Sequence, residues 1–336
     1  MKRTTRIVAV GASVALALTV AACSKPSSGG SSSGTTVSAD EKISIGYFGF
    51  AKANSFAQAG FAGVQEYAEA HNATAEFLDS NFDGPTQVNQ LQDAITSKRF
   101  QVAIIQANDG TAMVNPVKQA IAASITVVVQ FTPIGGGYDT IDPQVDGTIN
   151  LIDPPTVNGE GLAKLALEAC GSTSPCKVAY LQGFANYPLD QARTDAAVAA
   201  LQAGGAEVNS NIVGGYTQDS GRTAMQNLLQ AEPDVNVVIG SSQAIAGAAP
   251  LAAGKDVKFV GNGGSTQAYE AVQSGAWYGT YALPEKDEGA KAAELGISKA
   301  RGQDVPTASS SCETLTTFQC LGTKETLQGR TGTYSD

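Results

Sequence analysis

Residues 43–63 read ISIGYFGFAKANSFAQAGFAG, and this one stretch holds three patterns in succession. Ile43, Ile45 and Tyr47 alternate as in a strand, a glycine-broken aromatic segment follows, and Phe56, Phe61 and Val64 then take helical spacing. Strand, loop and helix in that order put the loop at the carboxyl edge of a parallel sheet, where open α/β folds hold small ligands. The loop carries Phe48, Phe50, Lys52, Asn54 and Phe56, flat apolar faces mixed with amide and ammonium hydrogen-bonders. It is expected to form one wall of a binding site.

The pattern repeats outward. A helix over 55–71 leads to a strand at 75–78, a helix carrying Val88, Leu91 and Ile95 leads to a strand at 102–105, and a helix over 113–123 leads to a strand at 125–129. Between Pro133 and Pro155 glycines, prolines and aspartates crowd together, with only 148–152 strand-like, as at a crossover between domains. A second series follows, with helices at 157–168, 189–203 and 221–231 and strands at 177–181, 207–213, 235–239, 257–260 and 277–281. Strands alternating with helices of this length imply parallel sheets covered on both faces. The stretch 303–336 has little periodicity and is expected to be extended segments and loops.

Composition sets the limits. With 336 residues, 43% of them apolar, the chain can build two cored domains. Its net charge is −10, and without Lys2, Arg3 and Arg6 the remaining 18 basic residues face 31 acidic ones, or −13. Such a surface repels phosphate backbones, so nucleic acid is not an expected partner.

Lys2, Arg3 and Arg6 precede an apolar run at 7–20 and the small residues Val20-Ala21-Ala22, the pattern of a secretory signal. The run is shorter than the roughly 20 residues needed to span a bilayer. Cys23, directly after those small residues, resembles the lipobox cysteine of bacterial lipoproteins, and the Ser/Gly-rich tract 24–38 suits a flexible tether. The expectation is a signal peptide over 1–22, lipidation at Cys23 and a tether to residue 40. The other four cysteines fall in close pairs, Cys170 with Cys176 and Cys312 with Cys320. Three connectivities exist; an oxidising compartment and easy closure of short loops favour the local one. Metal is not expected, since the spacing is not that of zinc and His71 is the single histidine, expected on the surface.

Enzyme readings find little support. Gly30-Ser31-Ser32-Ser33-Gly34 fits G-x-S-x-G only inside the tether, Ser174-Pro175-Cys176-Lys177 fits S-x-x-K ahead of a strand, and neither a P-loop nor a full dinucleotide fingerprint is present.

The order of elements, with Asn54-Ser55-Phe56, Leu78-Asp79-Ser80, Leu181-Gln182-Gly183, Arg193 and Met225-Gln226-Asn227-Leu228-Leu229, resembles the periplasmic sugar-binding proteins of the ribose-binding type, the receptors of ABC importers. The resemblance covers roughly 43–302. It implies two doubly wound parallel-sheet lobes joined by a three-segment hinge: 41–152 with 285–302, and 153–281, leaving 303–336 as hinge return and tail. It further implies Asn54 and Phe56 as an amide and a stacking ring, Arg193 as a guanidinium gripping ligand hydroxyls, and Tyr216 stacking from the opposite lobe. Sugar C–H faces pack on rings and a guanidinium donates two parallel hydrogen bonds, so the chemistry is sound on its own terms.

The chain also departs from that pattern. Gln130, Phe131 and Thr132 stand where the family usually has an Asp-Arg pair, Ser241, Ser242 and Gln243 replace an Asn-Asp pair, and Asn262-Gly263 replaces an aspartate-bearing turn. Fewer ionised hydrogen-bonders argue for a less hydroxylated or more apolar ligand, with Phe48, Phe50, Phe131, Phe184, Tyr187 and Trp277 available as aromatic walls. Gln243, Asn262 and Asn108 complete the candidate set, Asp109 being the expected N-cap of its helix. The expectation is therefore an extracytoplasmic, membrane-anchored, monomeric receptor without a cofactor, which delivers a small neutral polar ligand, a sugar or polyol first, to an ABC permease. A sensor lipoprotein, a receptor for a less polar or aromatic solute and an exported hydrolase are the alternatives.

Overall fold

A computed structural model describes residues 36–336. The signal run, Cys23 and most of the tether lie outside the described residues. The first series is β1 (Ile43–Gly49), α1 (Ser55–Ala70), β2 (Ala73–Asp79), α2 (Gly84–Ser97), β3 (Val102–Ile105), α3 (Gly110–Ala122), β4 (Thr126–Phe131) and β5 (Thr148–Ile152). The second is α4 (Pro155–Cys170), β6 (Lys177–Gln182), α5 (Pro188–Ala203), β7 (Glu207–Val213), α6 (Gln218–Ala231), β8 (Val237–Ser241), α7 (Ser242–Ala248), β9 (Lys258–Asn262), α8 (Thr266–Ser274) and β10 (Gly279–Tyr281). Then come α9 (Glu285–Ala300), β11 (Ala308–Ser309), α10 (Ser311–Leu315) and β12 (Leu321–Thr323).

Two six-stranded sheets result, in the orders β11-β5-β4-β3-β1-β2 and β12-β10-β9-β8-β6-β7. All neighbours are parallel except β10 and β12. These are the two α/β lobes that the alternation of strands and helices predicts. Each sheet is buried on both faces. In the first lobe, Ile45 and Tyr47 of β1 join the core under α1 and α9, while Phe48 points to the opposite core with Leu91 and Val117. In the second, Tyr180 packs with Leu162 and Leu201, and Leu181 with Met225, Ile245 and Trp277.

The chain passes between lobes three times. It leaves the first after β5, at 152–155, returns from β10 to α9 at 281–285, and leaves again from β11 through α10 to β12 at 309–321. Disulfides Cys170–Cys176 and Cys312–Cys320, with Cα separations of 5.8 and 5.3 Å, take the local pairing; the second lies in the third crossing. Among the described residues no helix is long and apolar enough to cross a membrane.

Helices start where the sequence supplies oxygen caps. Asn54 accepts from the Ala57 N–H at 3.0 Å, Asp109 from Thr111 and Ala112 at 2.9 and 3.0 Å, Ser241 from Ala244 at 3.1 Å and Ser265 from Ala268 at 3.1 Å. Each such cap is worth about 1 kcal/mol. They also aim the N-termini of α1, α7 and α8 at the space between the lobes' carboxyl strand edges.

Candidate functional site

That space leaves about 500 Å³ free of protein atoms. The first lobe lines it with Phe50, Asn54, Phe56, Phe82 and Phe131; the second does so with Tyr187, Leu189, Arg193, Tyr216, Ser241, Gln243 and Asn262, and Leu283 joins from the second crossing. The aromatic rings interlock. Phe131 meets Phe56 and Phe50 edge-on at 4.9 and 6.0 Å, and Phe82 lies parallel to Phe50 at 6.3 Å and to Tyr216 of the other lobe at 6.1 Å. Edge-on and offset arrangements suit the ring quadrupoles and leave faces toward the cavity.

Two of these phenylalanines sit on unusual backbone. Phe82 has φ 59° and Phe131 φ 64°, and the Thr132 N–H donates to the Gln130 carbonyl at 2.7 Å across a tight turn centred on Phe131. A bulky residue in this left-handed region costs on the order of 1–3 kcal/mol. The Phe82 N–H donates to the Phe50 carbonyl at 2.7 Å, which folds that ring back over the first loop.

Arg193 is 5% exposed, on the second turn of α5. Its Nη1 donates to Asp190 Oδ1 at 3.2 Å, one helical turn back, and its guanidinium carbon lies 5.8 Å from the Phe131 ring centre. Tyr216 donates to the same Asp190 oxygen, and the Phe184 N–H donates to Oδ2 at 2.7 Å. Asp190 is therefore fully engaged, and the buried pair carries no net charge. Burial works to lower the Arg193 pKa, but contacts with Tyr216 and Asp190 outweigh it and hold the guanidinium charged. Burial, then Asp190, pushes the Tyr216 hydroxyl well above its ordinary value, so it remains a donor. Arg193 Nε is buried with no partner among the described residues. Such an orphan charged donor is expensive unless an incoming oxygen completes it.

The amides are partly committed. Asn54 spends Oδ1 on its cap, which leaves Nδ2 for other partners. Asn262 exchanges two hydrogen bonds with Asn158 of α4, at 3.1 and 3.2 Å. Gln243 donates from Nε2 to Ser55 Oγ of the opposite lobe at 3.1 Å. A further contact between lobes is the Tyr187 hydroxyl, which donates to the Phe82 carbonyl. Burial, then Asp190 and Asp83, pushes that hydroxyl up to about 12.

Of the residues singled out in the sequence, Phe50, Asn54, Phe56, Phe131, Arg193, Tyr216, Gln243 and Asn262 come together around the cavity, with Tyr187 beside them. Phe48, Asn108 and Phe184 stand outside its lining. Phe48 is still inside β1, its ring in the core 6.2 Å from Phe100. Asn108 is buried behind the site and donates to Ser80 Oγ at 2.8 Å; Ser80 in turn donates to the Phe50 carbonyl, so Asn108 supports the first loop from beneath. Phe184 packs edge-on against Phe82 and Tyr216, at 5.3 and 5.2 Å. Trp277 belongs to the core of the second lobe, Asp109 is the N-cap of α3, and His71 is exposed, stacked on Tyr67 at 3.8 Å. Phe82, Leu189, Ser241 and Leu283 line the cavity without having been singled out. Only the Ser-Ser-Gln loop after β8 carried a signal for one of them.

Two parallel-sheet lobes crossed by three segments, with an aromatic cavity at their facing carboxyl strand edges, define a two-lobed solute-binding protein. The cavity lining offers hydrogen-bond donors and stacking faces. The chain belongs to the periplasmic binding protein domain family, whose model matches residues 45–304. It is similar to the ribose import binding protein of Salmonella typhimurium, 28% identical over 247 residues that cover 72% of this chain and 80% of the relative. Among solved structures, an ABC transporter solute-binding protein from Mycobacterium smegmatis with bound glycerol is 25% identical, with a TM-score of 0.71 over 88% of this chain and 100% of that one. A periplasmic solute-binding protein from Actinobacillus succinogenes with bound D-allose, 18% identical, shares the fold at a TM-score of 0.70 over 85% and 99%. These are solute-binding proteins of ABC transporters, and the chain is one of their kind rather than an enzyme.

Proposed function

We propose that the protein is an extracytoplasmic, lipid-anchored receptor of an ABC importer that captures a small neutral polyhydroxyl ligand, a sugar or polyol, by closure of its two lobes. The observation that carries this reading is Arg193, a cavity-lining guanidinium donor whose charge is balanced by Asp190. A neutral ligand oxygen satisfies that donor without bringing an uncompensated charge into a largely aromatic site. Ring faces from both lobes then take the C–H surfaces of the ligand. The ribose import relatives and the glycerol and D-allose bound in similar folds support the same ligand class. Cys23 after Val20-Ala21-Ala22 supports a lipid anchor, and the partner is the membrane permease, met by a monomer.

A second reading, a less polar or aromatic solute, is favoured by six aromatic side chains in the lining. One screen separates the two. Purified protein is heated with sugars, polyols, amino acids and aromatic acids, and a true ligand at 100 times its Kd adds about 2.7 kcal/mol. A shift with a sugar or polyol is expected. Silence toward every such solute, with a response to an aromatic acid or amino acid, overturns the first reading.

A further inference from the structure

Residues 329–336 form no regular element, yet hydrogen bonds fasten them at Arg330, Gly332, Tyr334, Ser335 and Asp336. The Thr266 N–H, at the start of α8, donates to the Tyr334 carbonyl at 2.7 Å; Gln267 Nε2 donates to Ser335 Oγ at 2.6 Å, and the Asp336 N–H donates to Gln267 Oε1 at 3.0 Å. All of these partners belong to the second lobe. The Asp336 carboxylate and the Tyr334 hydroxyl also face Ser242 of the second lobe, and both side chains reach the first. Ser55 Oγ, on the first turn of α1, donates to Asp336 Oδ1 at 3.3 Å, and the Tyr334 ring meets Phe56 edge-on at 6.3 Å. Asp336 Oδ2 is buried with no partner among the described residues.

Ser55 is the pivot of this arrangement. It receives Gln243 Nε2 at 3.1 Å and hands its own proton to Asp336, so the acceptor role toward Gln243 is fixed by the carboxylate beside it. Gln243 and Phe56 both line the cavity. The segment thus reaches the ligand space through two residues, and does so only when the lobes are together.

We propose that Asp336 is a positioning residue for the ligand: anchored on α8, it orients Ser55 and through it Gln243, and so latches the lobes in the closed arrangement. This rests on the solute-binding reading above. A latch made after closure slows ligand escape and leaves encounter alone, because most affinity differences between related complexes lie in the off-rate.

The test uses the whole chain with Asp336→Ala and Asp336→Asn, and D-ribose, D-allose and glycerol as probes in stopped-flow binding. For any probe that binds the wild type, Asp336→Ala is expected to raise the off-rate about tenfold, the equivalent of one charge-assisted hydrogen bond, with the on-rate within about twofold. Asp336→Asn keeps an acceptor for Ser55 and is expected to restore most of the loss, while Asp336→Leu fills similar space without an acceptor and is expected not to, which a simple packing role does not predict. A second arm needs no ligand: spin labels at the exposed positions Gln92 and Gln202, one on each lobe, report the distance distribution of the unliganded protein. Asp336→Ala is expected to shift it to longer separations. Should none of the three bind, the distance arm alone decides. An unchanged distribution, or an unchanged off-rate where a probe binds, overturns the latch; Ser55→Ala, which removes the hydroxyl that donates to Asp336, serves both arms if the alanine variant at Asp336 does not fold.

Discussion

Arg193 and Asp190 are both nearly excluded from water, and a buried charge without its partner is far more costly than the pair. Asp190→Ala leaves the guanidinium unbalanced and also strands the Tyr216 hydroxyl and the Phe184 N–H. The unfolding free energy measured in urea is expected to fall by about 3–5 kcal/mol. The double variant Arg193→Met with Asp190→Asn removes both charges; it is expected to regain most of that stability while losing the thermal response to ligand. If the single variant is as stable as the wild type, the pair is not the buried anchor described here. At this scale the sequence was informative wherever a side chain followed a strand end. Phe50 and Phe48 look alike in ISIGYFGF, but β1 runs to Gly49, so Phe48 is one of its alternating core residues and Phe50 lies beyond it. Phe82 was hidden for a different reason. Only its left-handed backbone, with its N–H donating to the Phe50 carbonyl at 2.7 Å, folds it back over the cavity, and nothing in a polar loop announces that.

Among the elements, α9 carries the most unusual load. It packs on α1 so closely that a Cβ at Gly63 would run into the Lys286 carbonyl and one at Gly289 into that of Gly60. Gly63→Ala must push the helices apart, and chemical denaturation is expected to show a loss of about 1–3 kcal/mol. The first turn of α9 also buries Glu285 and Glu288 completely. Glu285 accepts from Gln106 and Gln130 at 2.6 and 3.1 Å; Glu288 faces Asp153 of the first crossing and Ser311 of α10. Burial, then Glu288, pushes the Glu285 carboxyl well above its ordinary value, and burial, then Asp153, does the same to Glu288. The folded protein therefore binds more protons than the unfolded chain above pH 4.5, so its stability falls as pH rises from there through the raised folded-state values. A Tm scan is expected to decline over that window, and Glu285→Gln with Glu288→Gln to flatten it; a slope that survives both changes places its origin elsewhere. The α3 start was legible because Asp109 precedes an apolar-periodic run, whereas Asn54, read as a site residue, and Ser241, read as part of a departing loop, prove to be caps as well. The short strands Ala308–Ser309 and Leu321–Thr323 were not, since two or three residues cannot show a period and their pairing partners lie far away in the chain.

For the whole molecule, alternating elements implied two parallel-sheet lobes, while the way those lobes meet depended on residues no periodicity marks. Several contacts join the lobes, among them Tyr187 to the Phe82 carbonyl, Phe82 stacked on Tyr216, Arg193 beside the Phe131 ring and Gln243 to Ser55. A ligand shifts an open–closed equilibrium only by its difference in affinity for the two states, and apparent affinity scales with the fraction already competent to bind. Under the proposed closure, these contacts set part of the binding constant even where they never touch ligand. Tyr187→Phe is the cleanest probe, because it keeps the ring at the cavity wall and removes one hydroxyl. A hydrogen bond contributes about 0.5–1.5 kcal/mol, so the variant is expected to bind about 2- to 12-fold more weakly. Small-angle scattering should show a larger radius of gyration without ligand and the wild-type value at saturation. If Kd rises while the unliganded radius stays the same, Tyr187 acts on the ligand directly; if neither changes, the Tyr187 hydroxyl does not bias closure.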